Sequence, residues 1–178
     1  MKYVKRTKDV KLSLGMNGNS ELRVYTDASF GPLPDRKSIT GVLVQLFGSS
    51  VAWISKKQDS HVALSSAEAE YYAMSRGISE GLWTLRILAD FGVNTEKFNL
   101  LCDSQSAISM LKNRPSKDAK HIDIRYHFIM DRYLKGFLDV NYVPSKDQKA
   151  DYLTKALKPA AAKLALANMV GVKGECYE

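Results

Sequence analysis

Leu22-Arg23-Val24-Tyr25-Thr26-Asp27 decides how the rest of this sequence reads: a β-prone stretch that runs directly into an acid. Residues 21–27 are expected to form a strand whose last side chain is a carboxylate. Ahead of it, residues 1–20 are basic and then rich in Gly and Asn, with Gly15, Asn17, Gly18 and Asn19 reading as a turn. Beyond it, 39–47 and 50–56 also read as strands, separated by a short turn at Gly48-Ser49-Ser50. The longer link at Gly31–Lys37 holds Pro32 and Pro34 and reads as a loop. Three strands with short links predict an antiparallel meander.

The hydrophobic period then changes from strand to helix. Tyr71, Met74, Ile78, Leu82, Leu85 and Leu88 recur at spacings of three and four, which predicts one long helix over 66–91 ended by Gly92. Gly77 and Gly81 lie inside it, a cost in helix propensity that close packing on a sheet would explain. A strand at 98–102 follows, then helices at 104–112 and 122–135, the latter with Ile122, Ile129, Met130 and Tyr133 inward. Next come a strand at 137–143, a helix at 147–157 and, past Pro159, a further helical segment. The order β-β-β-α-β-α-α-β-α implies an α/β fold, a mixed sheet with helices packed on it. Trp53 and Trp83 sit in apolar patterns and read as core.

A chain of 178 residues fits one domain, which at this size buries roughly 70% of its unfolded surface. Lys and Arg outnumber Asp and Glu by 26 to 19, a net charge of +7 that favours a polyanionic partner. The two cysteines, Cys102 and Cys176, form neither a zinc spacing nor a disulfide framework, so a reducing, intracellular location is expected rather than secretion. No apolar run approaches about 20 residues, so no membrane span is expected, and the basic N-terminus lacks an apolar signal core.

Four acids stand where strands end or helices begin: Asp27, Glu70, Asp103 and Asp151. Glu68 competes with Glu70, and helix geometry separates the two. Ser65-x-x-Glu68 matches a capping box, in which Glu68 reaches back to the N-cap amide. Glu70 borders the buried stripe through Met74 and Ile78, whereas Glu68 continues onto Tyr72, Ser75 and Ser79. Asp103 follows a strand and precedes a helix, where α/β sheets place their sites, although capping of that helix would also explain it. Asp147 reads as an N-cap and Asp151 as the group for chemistry, but four residues apart they can share a face. Converging carboxylates repel one another unless a hard cation joins them, which suits Mg²⁺ or Mn²⁺. Two ions roughly 4 Å apart could then activate water for phosphodiester cleavage.

At this point the residues resemble a known family, the ribonuclease H domain of copia-type (Pseudoviridae) retrotransposon polyproteins. The match is carried by Tyr25-Thr26-Asp27-Ala28-Ser29, Leu64-Ser65-Ser66-Ala67-Glu68-Ala69-Glu70-Tyr71, Cys102-Asp103-Ser104-Gln105-Ser106-Ala107 and Lys120-His121-Ile122-Asp123-Ile124-Arg125-Tyr126-His127-Phe128. Tyr142-Val143-Pro144 and Ala150-Asp151-Tyr152-Leu153-Thr154-Lys155 complete it. The resemblance implies a ribonuclease H-like fold: a five-stranded mixed sheet with strands 4 and 5 parallel to strand 1. It divides the chain into a tail from the polymerase connection (1–20), the ribonuclease H domain (21–158) and a C-terminal helical tail (159–178). It also implies cleavage of the RNA strand of RNA–DNA hybrids with two Mg²⁺ ions during reverse transcription, with Asp27, Glu70, Asp103 and Asp151 as ligands. The expected partners are the hybrid and an upstream reverse transcriptase, in a cytoplasmic virus-like particle or the nucleus. Relatives carry a histidine on the loop before the last acid; here Pro144–Ala150 has none, leaving His121 and His127 as candidates.

Ser65, Ser66 and Gln105 adjoin the acids and could bond sugar or phosphate, while Lys120, His121 and Arg125 form a basic patch at a helix start. Lys56-Lys57-Gln58 is a further phosphate contact or simply a solvated strand end. Two other readings differ in class. A catalytically silent nucleic-acid-binding or tethering domain would show a lost ligand, and all four acids are present. A recombinase such as an integrase orders its acids Asp-Asp-Glu, whereas here Glu70 comes second.

Overall fold

The computed structural model describes residues 21–59, 62–113 and 120–155, with residues 5, 8, 12, 14 and 15 ahead of them; for 120–126 only the backbone course is described. The expected Gly/Asn turn, the helix past Pro159 and both terminal tails fall largely or wholly outside those residues.

Three strands open the fold, β1 (Leu22–Ser29), β2 (Ile39–Leu46) and β3 (Ser49–Lys57), followed by α1 (Ser66–Asp90). Then come β4 (Phe98–Cys102), α2 (Gln105–Lys112), α3 (Lys120–Leu134) and β5 (Leu138–Tyr142). The strands lie in the order β3-β2-β1-β4-β5. β1, β2 and β3 pair antiparallel, and β4 and β5 run parallel to β1 and to each other. That is the five-stranded mixed sheet expected.

Period-two alternation gives the central strands two apolar faces. On one, Val24, Val42, Val44, Leu100, Cys102 and Val140 pack with Tyr71, Met74, Ile78, Leu85 and Leu88 of α1 and with Ile129 of α3. The helix stripe read from the sequence is the buried one, except that Leu82 is half-buried. On the other face, Tyr25, Leu43 and Leu101 pack against Ala150 and Leu153. The two helical glycines are contact points: a Cβ on Gly77 would lie 2.3 Å from Thr26 Cγ2, and one on Gly81 within 2.6 Å of the Phe98 ring.

Differences from expectation are local. The β2–β3 turn is Phe47-Gly48, at φ 52° and 82°, rather than Gly48-Ser49-Ser50. These angles suit a two-residue hairpin that matches the strand twist, and Phe at such a position carries no sequence signal. Of the helix expected at 147–157, the described residues 147–155 do not form an α-helix. Two 3₁₀ turns, Ser145–Asp147 and Lys149–Leu153, stand there, flattened onto the sheet. Trp53 and Trp83 are exposed, because Trp53 points outward from the edge strand and Trp83 from the outer side of α1. Among the described residues, no helix is long and apolar enough to cross a membrane.

Candidate metal-dependent nuclease site

Asp27 lies near the end of β1, opposite Gly41 of β2, and is 3% exposed. Gly41 has no side chain, and this lets the last 3₁₀ turn settle beside Asp27: a Cβ there would be 2.7 Å from Thr154 Cγ2 and 2.8 Å from the Ala150 carbonyl. Thr154 uses the closeness to donate its hydroxyl to Asp27 Oδ2. Gln148, almost fully buried, ties the same segment down by donating to the Thr26 carbonyl at 2.9 Å. Its side-chain oxygen accepts from the Ala150 amide.

Glu70 reaches the same place from the first turns of α1. The Ala28 amide donates to its carboxylate, while Oε2 is buried without a hydrogen-bond partner. An oxygen of Glu70, one of Asp103 and the Cys102 sulfur lie within 4.8 Å of one another. Asp103, just past β4, accepts from the Ser145 hydroxyl at 2.7 Å. Asp151 is held further out, paired with Lys155 four residues on. Its charge still acts on Asp27.

The electrostatics follow from burial. Desolvation, aided by the charge of Asp27, pushes the Glu70 carboxyl up to about 8. Asp27 is raised for the same reason, with the Thr154 hydrogen bond opposing and Asp151 adding to the shift. Desolvation also drives the Cys102 thiol up to about 12, so it stays protonated and is no ligand for a hard cation. A buried carboxylate oxygen without a partner, under the charge of two further carboxylates, fits a hard divalent cation. The all-oxygen donor set fits Mg²⁺ or Mn²⁺.

The competing readings separate. Ser65 accepts from the Glu68 amide at 3.1 Å as the helix N-cap. Glu68 turns its Oε2 to the Leu64 amide at 2.7 Å, one residue before the N-cap amide expected of a capping box. It is as buried as Glu70, while the face that continues from it is half-buried at Tyr72 and Ser75 and exposed at Ser79. Ser104, not Asp103, caps α2 by accepting from the Ala107 amide, which frees Asp103 from that role. Gln148 rather than Asp147 caps the second 3₁₀ turn, and Asp147 is exposed. Ser65, Ser66 and Gln105 are exposed. The side chains of Lys120, His121 and Arg125 lie outside the described residues. Of the Lys56-Lys57-Gln58 run, Lys57 pairs with Asp35 and Asp59 and Gln58 is buried, leaving Lys56 exposed.

No protein-family model matches the chain. Over 159 residues it is 37% identical to the retrovirus-related Pol polyprotein from transposon TNT 1-94 of Nicotiana tabacum, covering 88% of this chain and 12% of that protein. It is 34% identical over 164 residues to the corresponding polyprotein from transposon RE1 of Arabidopsis thaliana, covering 90% of this chain and 11% of the relative. The chain thus spans a small fraction of these relatives' length. Among solved structures it is similar to LC11-RNase H1, isolated from compost by a metagenomic approach. The TM-score is 0.58 at 16% identity, over 76% of this chain and 93% of the other. This chain is a homologue of transposon Pol polyproteins with the ribonuclease H fold. The same LC11 enzyme in complex with RNA/DNA hybrid matches with a TM-score of 0.56 at 16% identity, over 75% of this chain and 93% of that one.

Within this ribonuclease H fold, Gly41 and Gln148 carried no expectation, and Thr154 and Lys155 stood only within the Ala150–Lys155 stretch, with no role of their own. Gln148 and Thr154 are ordinary polar residues until the 3₁₀ turns meet β1. Gly41, in the middle of a strand, carried the one available signal, since glycine there marks a close backbone approach.

Proposed function

We propose that this chain is a metal-dependent ribonuclease H that hydrolyses the RNA strand of an RNA–DNA hybrid, acting beside a reverse transcriptase in a transposon Pol polyprotein. The observation that carries this reading is the meeting of Asp27, Glu70 and Asp103, with Glu70 Oε2 buried and unpartnered. The hybrid-bound ribonuclease H of similar fold supports the substrate class.

Asp27, Glu70, Asp103 and Asp151 would hold the metal. When bound, two Mg²⁺ ions supply Lewis-acid activation of water and charge neutralisation at the phosphate. The chain's own part is preorganisation. Thr154 and the Ala28 amide fix Asp27 and Glu70, and Ser145 fixes Asp103, before any substrate arrives. Ser65, Ser66 and Gln105, exposed and close in sequence to Glu70 and Asp103, would contact sugar and phosphate. The net charge of +7 draws the polyanion in.

Incubation with labelled RNA–DNA hybrid, double-stranded RNA and double-stranded DNA, with Mg²⁺ or with EDTA, tests the reading. Loss of the hybrid's RNA strand alone, only with Mg²⁺, is expected. Intact hybrid RNA, or an Asp103→Asn variant as active as the parent, overturns it.

A further inference from the structure

Lys155 is half-exposed along its side chain, yet its ammonium turns inward to pair with Asp151. It directly follows Thr154, the residue that ties the last 3₁₀ turn to Asp27. From there its charge acts on Asp27, Asp103 and Glu70 as well as on Asp151. Among the described residues, Lys155 is a cation whose charge acts on both buried acids. The 144–150 link holds no histidine but two lysines, of which Lys149 donates to Gln45, while Lys155 is the one that pairs with Asp151.

We propose that Lys155 is the built-in counter-cation of the acidic cluster, neutralising Asp151 while no divalent ion is bound and yielding it when one binds. Lys155 thereby sets how tightly the Asp151 side of the site holds metal, an inference that rests on the metal-site reading above. An ammonium and a divalent ion compete for the same carboxylate, and like charges a few ångströms apart repel. Because the pair is partly exposed, solvent screens it, and the competition changes affinity by a modest factor rather than abolishing binding.

Calorimetric titration of the 178-residue chain with Mn²⁺ alone, without nucleic acid, tests this. Lys155→Met is expected to tighten Mn²⁺ binding about three- to tenfold. It should also lower the melting temperature in EDTA, where the acids lose their counter-charge, and enlarge the rise on adding Mn²⁺. Lys155→Arg keeps the charge and should bind Mn²⁺ as the parent does. Because Met keeps an apolar stem without the charge, tighter binding in Lys155→Met but not in Lys155→Arg is a pattern that a merely structural role for the lysine stem would not produce. Lys155→Gln serves as a second neutral variant should the Met variant fold poorly. Parental Mn²⁺ affinity in both neutral variants overturns the proposal alone. Absence of saturable Mn²⁺ binding in the parent overturns the metal-site reading and the proposal together.

Discussion

Two buried groups define the site at the residue scale. Glu70 has a folded-state value near 8 against an ordinary 4.5. Between these pH values the folded protein holds a proton that the unfolded chain has lost. Metal-free stability therefore falls as pH rises from about 4.5 to about 8, and above that the loss is complete. The Asp27 shift acts in the same direction. Glu70→Gln removes the buried charge, and should stabilise the metal-free protein at pH 8.5 by on the order of 3 kcal/mol while having little effect at pH 4. Urea denaturation in EDTA at the two pH values measures this; an equal effect at both would contradict it. Cys102, held protonated, should carry no label after brief iodoacetamide treatment of the native protein and should be labelled after unfolding, as read by peptide mass mapping.

Close approach governs the elements. Gly77→Ala forces a methyl into Thr26, and Gly81→Ala forces one into the Phe98 ring. Each should cost about 1–3 kcal/mol by overpacking, although alanine is the better helix former. Gly92 closes α1 at φ +72°, with the Val93 amide returning to the Leu88 carbonyl at 2.8 Å. Nothing lies near its absent Cβ, so Gly92→Ala should cost only about 1 kcal/mol, the backbone penalty alone. Thermal melts of the three variants test that ranking. Gly41→Ala acts differently, since it lifts the last 3₁₀ turn away from Asp27. It should reduce hydrolysis of hybrid by more than its melting temperature implies, seen by comparing kcat/KM with stability. Helix α1, its glycines and its stripe were legible because an amphipathic period of 25 residues is a strong, local signal. The 3₁₀ turns were not, because Gln148 and Thr154 are fixed by partners more than 120 residues away in sequence.

For the whole molecule, the topology brings acids from β1, α1, the end of β4 and the last 3₁₀ turn to one end of the sheet. With a net charge of +7, binding of an uncleaved hybrid in Ca²⁺ should weaken steeply between 50 and 200 mM salt, about tenfold or more. Affinity that does not change with salt would count against phosphate contacts as its main source. The sequence by itself determined the order of strands and helices through β5 and the basic balance, because periodicity and composition encode them, and it marked Glu70 rather than Glu68 as the candidate ligand. Only the tertiary structure decided that Ser104 and Gln148 do the capping, that Asp103 is free of it, and that Lys155 faces the acids. Those outcomes depend on which segments meet across the sheet, and meeting is a property of the packed chain rather than of any stretch of it.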